Sequence, residues 1–456
     1  MRNNKAMEMD RKGRIENLKN EICRRMPKSG ELWNKGKEIY PGGKVSAARV
    51  FDPWPFYATK GQGAYIWDVD GNKYIDCAMC FGVLLLGHRP KHVLDALAEQ
   101  TQRALHYGAP IPWEIEFGEK FIKCVPCAEM VVMANTGNEA VHKSIAIARA
   151  YTGKDKIGKF EGCFHGSNEY GMWSTSINPE LMGPAECPNA VPMCAGMSKA
   201  ARENLILLPF GENATFEMIE KYGSDLAAVI LEPVLGVGGC IPFEKGYLSK
   251  LREVTQRNGV LLIFDEIVTG FRLALGGGQE FFGVTPDIAL FGKALGGGMP
   301  IGAIGASREI LQKCISLDPP LSLAGTFSGN AMTLAAANAM LDYLMANPQI
   351  YDQLREKGDY LRSGFNDFAN AKGFPANMSG IGSMFQIHMM TPPPKKPRDR
   401  LGQKKELLEE FALRLRLEGI FVPIPLHLAF ISPSHSDKDI EDLLNALKRT
   451  LEACFS

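Results

Sequence analysis

Three short runs of this chain leave little freedom in how it can fold. Residues 226–231, 260–264 and 288–291 are apolar at every position, and helical patterns separate them. A strand without a polar face must be covered on both sides. Short β-branched runs alternating with helices over residues 76–345 therefore imply an α/β domain built on a largely parallel sheet. Each run also stops on chemistry: the first on Glu232-Pro233, the second on Asp265, the third on Gly292-Lys293. Open parallel sheets bind ligands outside the carboxyl ends of their strands. Two acids and a lysine are thus expected over one crevice.

Most lysines occupy solvated faces. Lys293 instead follows an apolar strand and precedes Ala-Leu-Gly-Gly-Gly, where an exposed helical lysine is out of place. Desolvated there, it has a lowered pKa and is suited to Schiff-base chemistry. Asp265, at the end of a buried strand, needs a cation or several donors. A structural salt bridge or a pyridinium nitrogen would each serve, and the residue alone does not choose between them. A phosphate needs a cradle of backbone amides, best at the start of a helix. Asn135-Thr136-Gly137-Asn138-Glu139-Ala140 lies between an apolar run at 131–133 and a helical stretch at 141–151. Gly325-Thr326-Phe327-Ser328-Gly329-Asn330 similarly leads into an Ala-rich stretch. An ordinary capped helix would read the same way. Nucleotide motifs fail: there is no Walker A pattern, and the glycines near Gly236 do not complete G-x-G-x-x-G.

Lys+Arg and Asp+Glu number 51 each, which gives no electrostatic reason to expect nucleic acid or an anionic membrane as partner. The N-terminus is charged throughout, and no run approaches the ~20 apolar residues that span a bilayer. Ile15, Leu18 and Ile22 sit at helical spacing, as in an amphipathic docking helix. The cysteines are scattered, and the pair Cys124 and Cys127 lacks a second ligand pair. Reduced thiols of a cytoplasmic protein, without a metal, are the expectation. Residues 30–75 read as short extended pieces with turns at Gly61, Gly63 and Asp70-Gly71-Asn72. Beyond 346, GIGSMFQIHMM reads as a strand, TPPPKKPRDR as a surface loop, and 437–453 as a helix capped by Ser436. The expected division is an N-terminal segment 1–75 that joins the C-terminal part, a large domain 76–345, and a smaller domain 346–456.

From residue 41 to 330 the chain carries, in order, PGGKVSAARVF, WDVDGNKYID, NTGNEAV, RAYTGKDKIGKFEGCFHG, LEPVLG, FDEIVTGFR, FGKALGGGMPIGA and GTFSGN. This set resembles the class III aminotransferases of the fold-type I pyridoxal-phosphate superfamily, nearest to the glutamate-1-semialdehyde aminomutase branch. The resemblance implies a large domain with a mostly parallel seven-stranded sheet, and a smaller α+β domain from both chain ends. It implies pyridoxal 5'-phosphate held by Lys293 as a Schiff base, with Lys293 also moving the proton. Asp265 would pair with the pyridine nitrogen, Val234 or Ile267 would pack on one ring face, and Phe164 on the other. Thr136, Gly137 and Asn138 would hold the phosphate, with Thr326 reaching it from the neighbouring subunit of a homodimer with shared active sites. Glu232 and Glu139 would orient the surrounding loops, and Arg49 would clamp a substrate carboxylate through its fork. Trp54 and Phe56 would either line an aromatic wall or belong to the core.

Three departures from the aminomutase pattern bear on the substrate. Asn138 stands where threonine is usual, and Val237 where a polar asparagine is usual. FVPIPLHLAFIS lacks a glutamate, with Leu426 or His427 near its place. A less polar pocket favours an aminotransferase acting between a carboxylate-bearing amino acid, β- and D-amino acids included, and a keto acid. The second reading is glutamate-1-semialdehyde 2,1-aminomutase. The third is a racemase or epimerase, which needs an acid on each face of the carbanion. A non-enzymatic scaffold would be expected to lose Lys293 or Asp265, and both are present.

Overall fold

The structure is a computed structural model that describes residues 2–423 and 427–456. Seven strands form the main sheet, in the spatial order Met130–Ala134, Gly302–Ala306, Ile288–Gly292, Leu261–Asp265, Leu226–Leu231, Lys156–Phe160 and Leu205–Leu208. Gly302–Ala306 runs antiparallel to both of its neighbours, and the other six strands share one direction. The three apolar runs are central strands with every residue buried. Their side chains alternate between two covered faces, as the pleat requires. Ile230, Ile263, Leu290 and Ile304 pack with Val141 and Ile145 of the helix Gly137–Thr152. Val229, Leu231, Leu262 and Phe264 pack with Leu248, Leu251 and Val254 of the helix Tyr247–Arg257.

The chain ends meet on one side. Helix Arg2–Arg25 buries Ile15 and Ile22 in a cluster with Leu413 of the helix Lys405–Leu417, and Leu18 packs against the same cluster. Arg11 and Arg14 reach the buried Glu410 carboxylate at 2.6 and 3.1 Å. Strands Ala58–Gln62, Tyr65–Asp68 and Lys73–Asp76 form a meander, and Ile420–Phe421 adds to it parallel to Lys73–Asp76. The final helix, Asp437–Phe455, opens on a capping box made by Ser436 and Asp439. No described helix is long and apolar enough to cross a membrane.

Two expectations need correction. Pro27–Ile39 is a helix rather than extended pieces, because the Asp70 carboxylate accepts from Lys28 N and Ser29 N at 2.8 and 3.0 Å. That cap lies outside any local window. GIGSMFQIHMM is not one strand: a turn at Gly382, φ 55°, separates Asn377–Ile381 from Met384–His388 in a hairpin. The 391–400 segment lies at the surface, as read, and is docked there. Pro397 is buried, and Arg398 forks onto Glu161 at 2.7 and 3.0 Å. Of the two places left open for Trp54 and Phe56, the structure shows the core, with Trp54 Nε1 donating to the Met26 carbonyl at 3.1 Å and Phe56 stacked 4.9 Å from Tyr74.

Candidate active site

The strand Ile288–Gly292 delivers Lys293 into a tight turn, Lys293–Gly296, at φ 44°. A left-handed lysine costs about 1–2 kcal/mol and persists only where its surroundings hold it. A Cβ built on Gly292 would lie 3.7 Å from Ile267 Cγ2 and 3.8 Å from Gly137 Cα, so the lysine stands beside both. Lys293 is half-buried as a residue, and enclosure of its amine is the main cause of a lowered pKa. The charges of Glu232 and Asp265 oppose that pull, and Arg272 adds to it.

Asp265 Oδ2 lies 2.7 Å from His165 Nδ1, and Oδ1 accepts from Ile267 N at 3.1 Å. Facing a carboxylate, Nδ1 carries the proton. Burial lowers the pKa of His165, and its Nε2 is buried without a protein partner. Sequence reasoning missed this histidine although it follows Phe164 directly; no local pattern names a partner one hundred residues away. Glu232 accepts from Phe164 N at 2.8 Å and from Gly236 N at 3.2 Å. Burial, and then the Asp265 charge, push its pKa up to about 8. Lys159, also missed, is fully enclosed and donates to the carbonyls of Phe160, Cys163 and Trp173 at 3.2, 2.6 and 2.8 Å. Burial lowers its pKa to about 8. The Phe164–His165 loop is thus tied from two sides, while the Phe164 side chain remains 36% exposed.

Thr136 caps the helix Gly137–Thr152, its Oγ1 accepting from Glu139 N at 3.2 Å. The N–H groups of Gly137 and Asn138 precede any intrahelical acceptor, as in an anion cradle. A Cβ on Gly137 would stand 2.5 Å from Ile267 Cδ1, and one on Gly302 would stand 2.3 Å from the Thr136 carbonyl. Only glycines let the turn, the strand end and Ile267 come this close. Glu139 accepts from Asn135 N and Nδ2, both at 2.9 Å, and pairs with Lys143 at 2.7 Å. Asn138 Oδ1 accepts from Asn168 Nδ2 at 3.0 Å.

Thr326 lies on an exposed loop, and His106 Nε2 contacts its carbonyl at 2.9 Å. Arg49 is exposed at the end of the turn Ala47–Arg49, and its charge and that of Lys293 both act on the Cys80 thiol. Val234 is buried with Met79, Leu428 and Phe430. The Val237 carbonyl accepts from Arg400 at 3.2 Å, and the same arginine adds to the burial that lowers the pKa of His427. Leu426 lies outside the described residues.

These groups suit pyridoxal phosphate: a carboxylate for a ring nitrogen, an aromatic with a free face, a base-leaning lysine amine, and a helix start with room for glycine alone. A family model described as aminotransferase class-III matches residues 46–451. The chain is 38% identical over 429 residues to a glutamate-1-semialdehyde 2,1-aminomutase of Methanobrevibacter smithii, covering 94% of this chain and 99% of that one. An omega-transaminase from Sphaerobacter thermophilus has a similar structure, with a TM-score of 0.88 and 31% identity over 94% of this chain and 98% of that one. A β-phenylalanine aminotransferase from Variovorax paradoxus gives a TM-score of 0.87 at 26% identity, covering 97% and 98%. The chain belongs to the class III aminotransferase family, on the fold-type I architecture that its seven-stranded sheet expresses.

Proposed function

We propose that this chain is a pyridoxal-phosphate enzyme that moves an amino group between neighbouring carbons of one carboxylate-bearing substrate, as a glutamate-1-semialdehyde 2,1-aminomutase does. The observation that carries this reading is the nearly end-to-end match to an aminomutase. The aminotransferase favoured by the pocket residues becomes the second reading. It keeps specific support from Val237 and from the apolar group of Met79, Val234, Leu428 and Phe430.

Bound pyridoxal phosphate supplies an electron sink for the charge left when a proton leaves the amino-bearing carbon. The chain supplies the rest. Lys293 Nζ takes that proton and returns it further along. Asp265, oriented by His165 and the Ile267 amide, would hold the ring nitrogen and its proton. The amides of Gly137 and Asn138, with the Thr136 hydroxyl, bind the phosphate. Phe164 covers one ring face, and Val234 or Ile267 the other. Glu232 and Glu139 hold the loops, and Arg49 receives the substrate carboxylate. Thr326 completes the phosphate site of a second copy, which makes the enzyme a homodimer with shared sites. Leu105, Ile115 and Phe327, each more than 60% exposed, are apolar side chains that such a copy would cover. Residues 76–345 form the large domain, and the two chain ends form the smaller one.

The test is the cofactor-loaded protein with glutamate-1-semialdehyde as sole substrate. Formation of the isomer with the amino and oxo groups exchanged, without any keto acid, is expected. Absence of that isomer, with transfer from amino acids to 2-keto acids instead, would establish the aminotransferase. Exchange of α-hydrogen without net transfer would point to a racemase or epimerase.

A further inference from the structure

Arg272 is 2% exposed and ranks among the largest fully buried side chains, yet no described carboxylate forms an ion pair with it. Its Nη2 donates to the Gly82 carbonyl and its Nε to the Val268 carbonyl at 3.2 Å. Its Nη1 lies 3.4 Å from Ser383 Oγ, and its guanidinium sits 4.6 Å over the Phe430 ring. Two parts of the chain therefore meet on one cation: the region 76–345, through Gly82 and Val268, and the C-terminal part, through Ser383 and Phe430. Apolar residues of similar volume commonly serve stability as well as a buried charge does, so stability alone does not explain an arginine here.

What it holds is unusual. Met79, Cys80 and Phe81 have φ of 43°, 51° and 57°, and Gly82 follows at 89°. Three successive left-handed non-glycine residues persist only when clamped. At one end the Asp76 carboxylate accepts from Ala78 N and Met79 N at 2.8 and 3.0 Å and meets His88 at 2.8 Å. At the other end Arg272 takes the Gly82 carbonyl. The turn leaves Cys80 exposed, and the charges of Arg49 and Lys293 both act on its thiol. The groups whose charges act on the Lys293 amine are Glu232, Asp265 and Cys80, which favour a bound proton, and Arg272, which opposes it.

We propose that Arg272 is a positioning residue: it fixes the strained Met79–Gly82 turn through the Gly82 carbonyl, and it sets a buried positive charge on the Ile267–Val268 segment that Lys293 stands beside. Burial brings the pKa of Arg272 down to about 9, which leaves it a cation at neutral pH. The proposal rests on Lys293 as the reacting amine. Its test reads that amine directly, so it can fail without touching the choice between aminomutase and aminotransferase.

The full-length chain, freed of cofactor, is trace-labelled with acetic anhydride across pH, and the Lys293 peptide is quantified by mass spectrometry. Arg272→Gln keeps hydrogen-bond donors but removes the charge, and it should raise the labelling midpoint. Arg272→Lys keeps the charge and should leave the midpoint in place. Ser383→Asp sets a carboxylate against the unaltered guanidinium and should raise the midpoint as Arg272→Gln does; it carries the charge test alone if the glutamine variant fails to fold. An unmoved midpoint in the neutralised variants would overturn the electrostatic half. Alkylation of Cys80 by iodoacetamide should quicken severalfold in Arg272→Lys, where the fork onto Gly82 is lost. A rate equal to the parent's would overturn the clamp.

Discussion

Lys293 and Asp265 end neighbouring parallel strands in which Asp265 pairs with Leu290, so the lysine stands three residues beyond that register position. Both were legible in the sequence because a charge that ends a wholly apolar strand has few places to go. His165, Lys159 and Arg272 were not legible: each owes its role to groups brought from distant positions, and none interrupts a local pattern. His388 shows the same dependence in a form that can be measured. It is buried, with Nε2 3.1 Å from the Gly239 carbonyl, and burial followed by the Arg400 charge lowers its pKa to about 4. The unfolded chain then binds the proton first, at about pH 6.5, so stability is complete above that pH and is lost as pH falls from 6.5 towards 4. The urea midpoint should be level above pH 7 and decline through that window, and His388→Gln should flatten the decline. An equally steep fall in the variant would place the lost protons elsewhere; His165, His427 and His435 also have lowered pKa values.

The elements around the cofactor cradle were read well because their signals are short-range. Strand, polar turn and helix follow one another within the stretch 130–152, and Thr136 caps its own helix. What sequence could not separate was an ordinary capped helix from an anion cradle. The structure adds that Ile267 approaches Gly137 so closely that a Cβ has no room. Gly137→Ala should cost about 1–3 kcal/mol through overpacking and weaken pyridoxal-phosphate binding by roughly tenfold or more. Adding Ile267→Val, which removes the obstructing Cδ1, should recover part of both losses. Absorbance titration of the stripped protein measures the affinity, and parent-like affinity in the single variant would remove the phosphate from this helix. The helix Pro27–Ile39 went unread for the opposite reason, since its N-terminal amides are capped by Asp70, from a turn far along the chain.

Across the whole molecule, the 391–402 segment straps the C-terminal part to the wall that carries Phe164 and His165. Arg398 pairs with Glu161 and also reaches the carbonyls of Met182, Gly183 and Pro184 at 3.1, 2.9 and 3.1 Å. Glu161 is 2% exposed, so Arg398→Ala would leave a buried carboxylate without its partner, at a cost of about 2–4 kcal/mol given that Arg398 keeps some solvent contact. Chemical denaturation should show that loss, and Glu161→Gln in the same chain should return much of it. No return would mean that the carbonyl contacts, rather than the ion pair, hold the strap. Sequence by itself determined the parallel sheet, the charged residues that end its three apolar strands and the strand, turn and helix of 130–152, because apolar periodicity and capping act over a few residues. Tertiary structure alone decided which groups set the protonation of Lys293 and orient Asp265, and how the two chain ends close on the crevice. Those outcomes depend on burial and on charges brought together across hundreds of residues, and neither has a signature in local sequence.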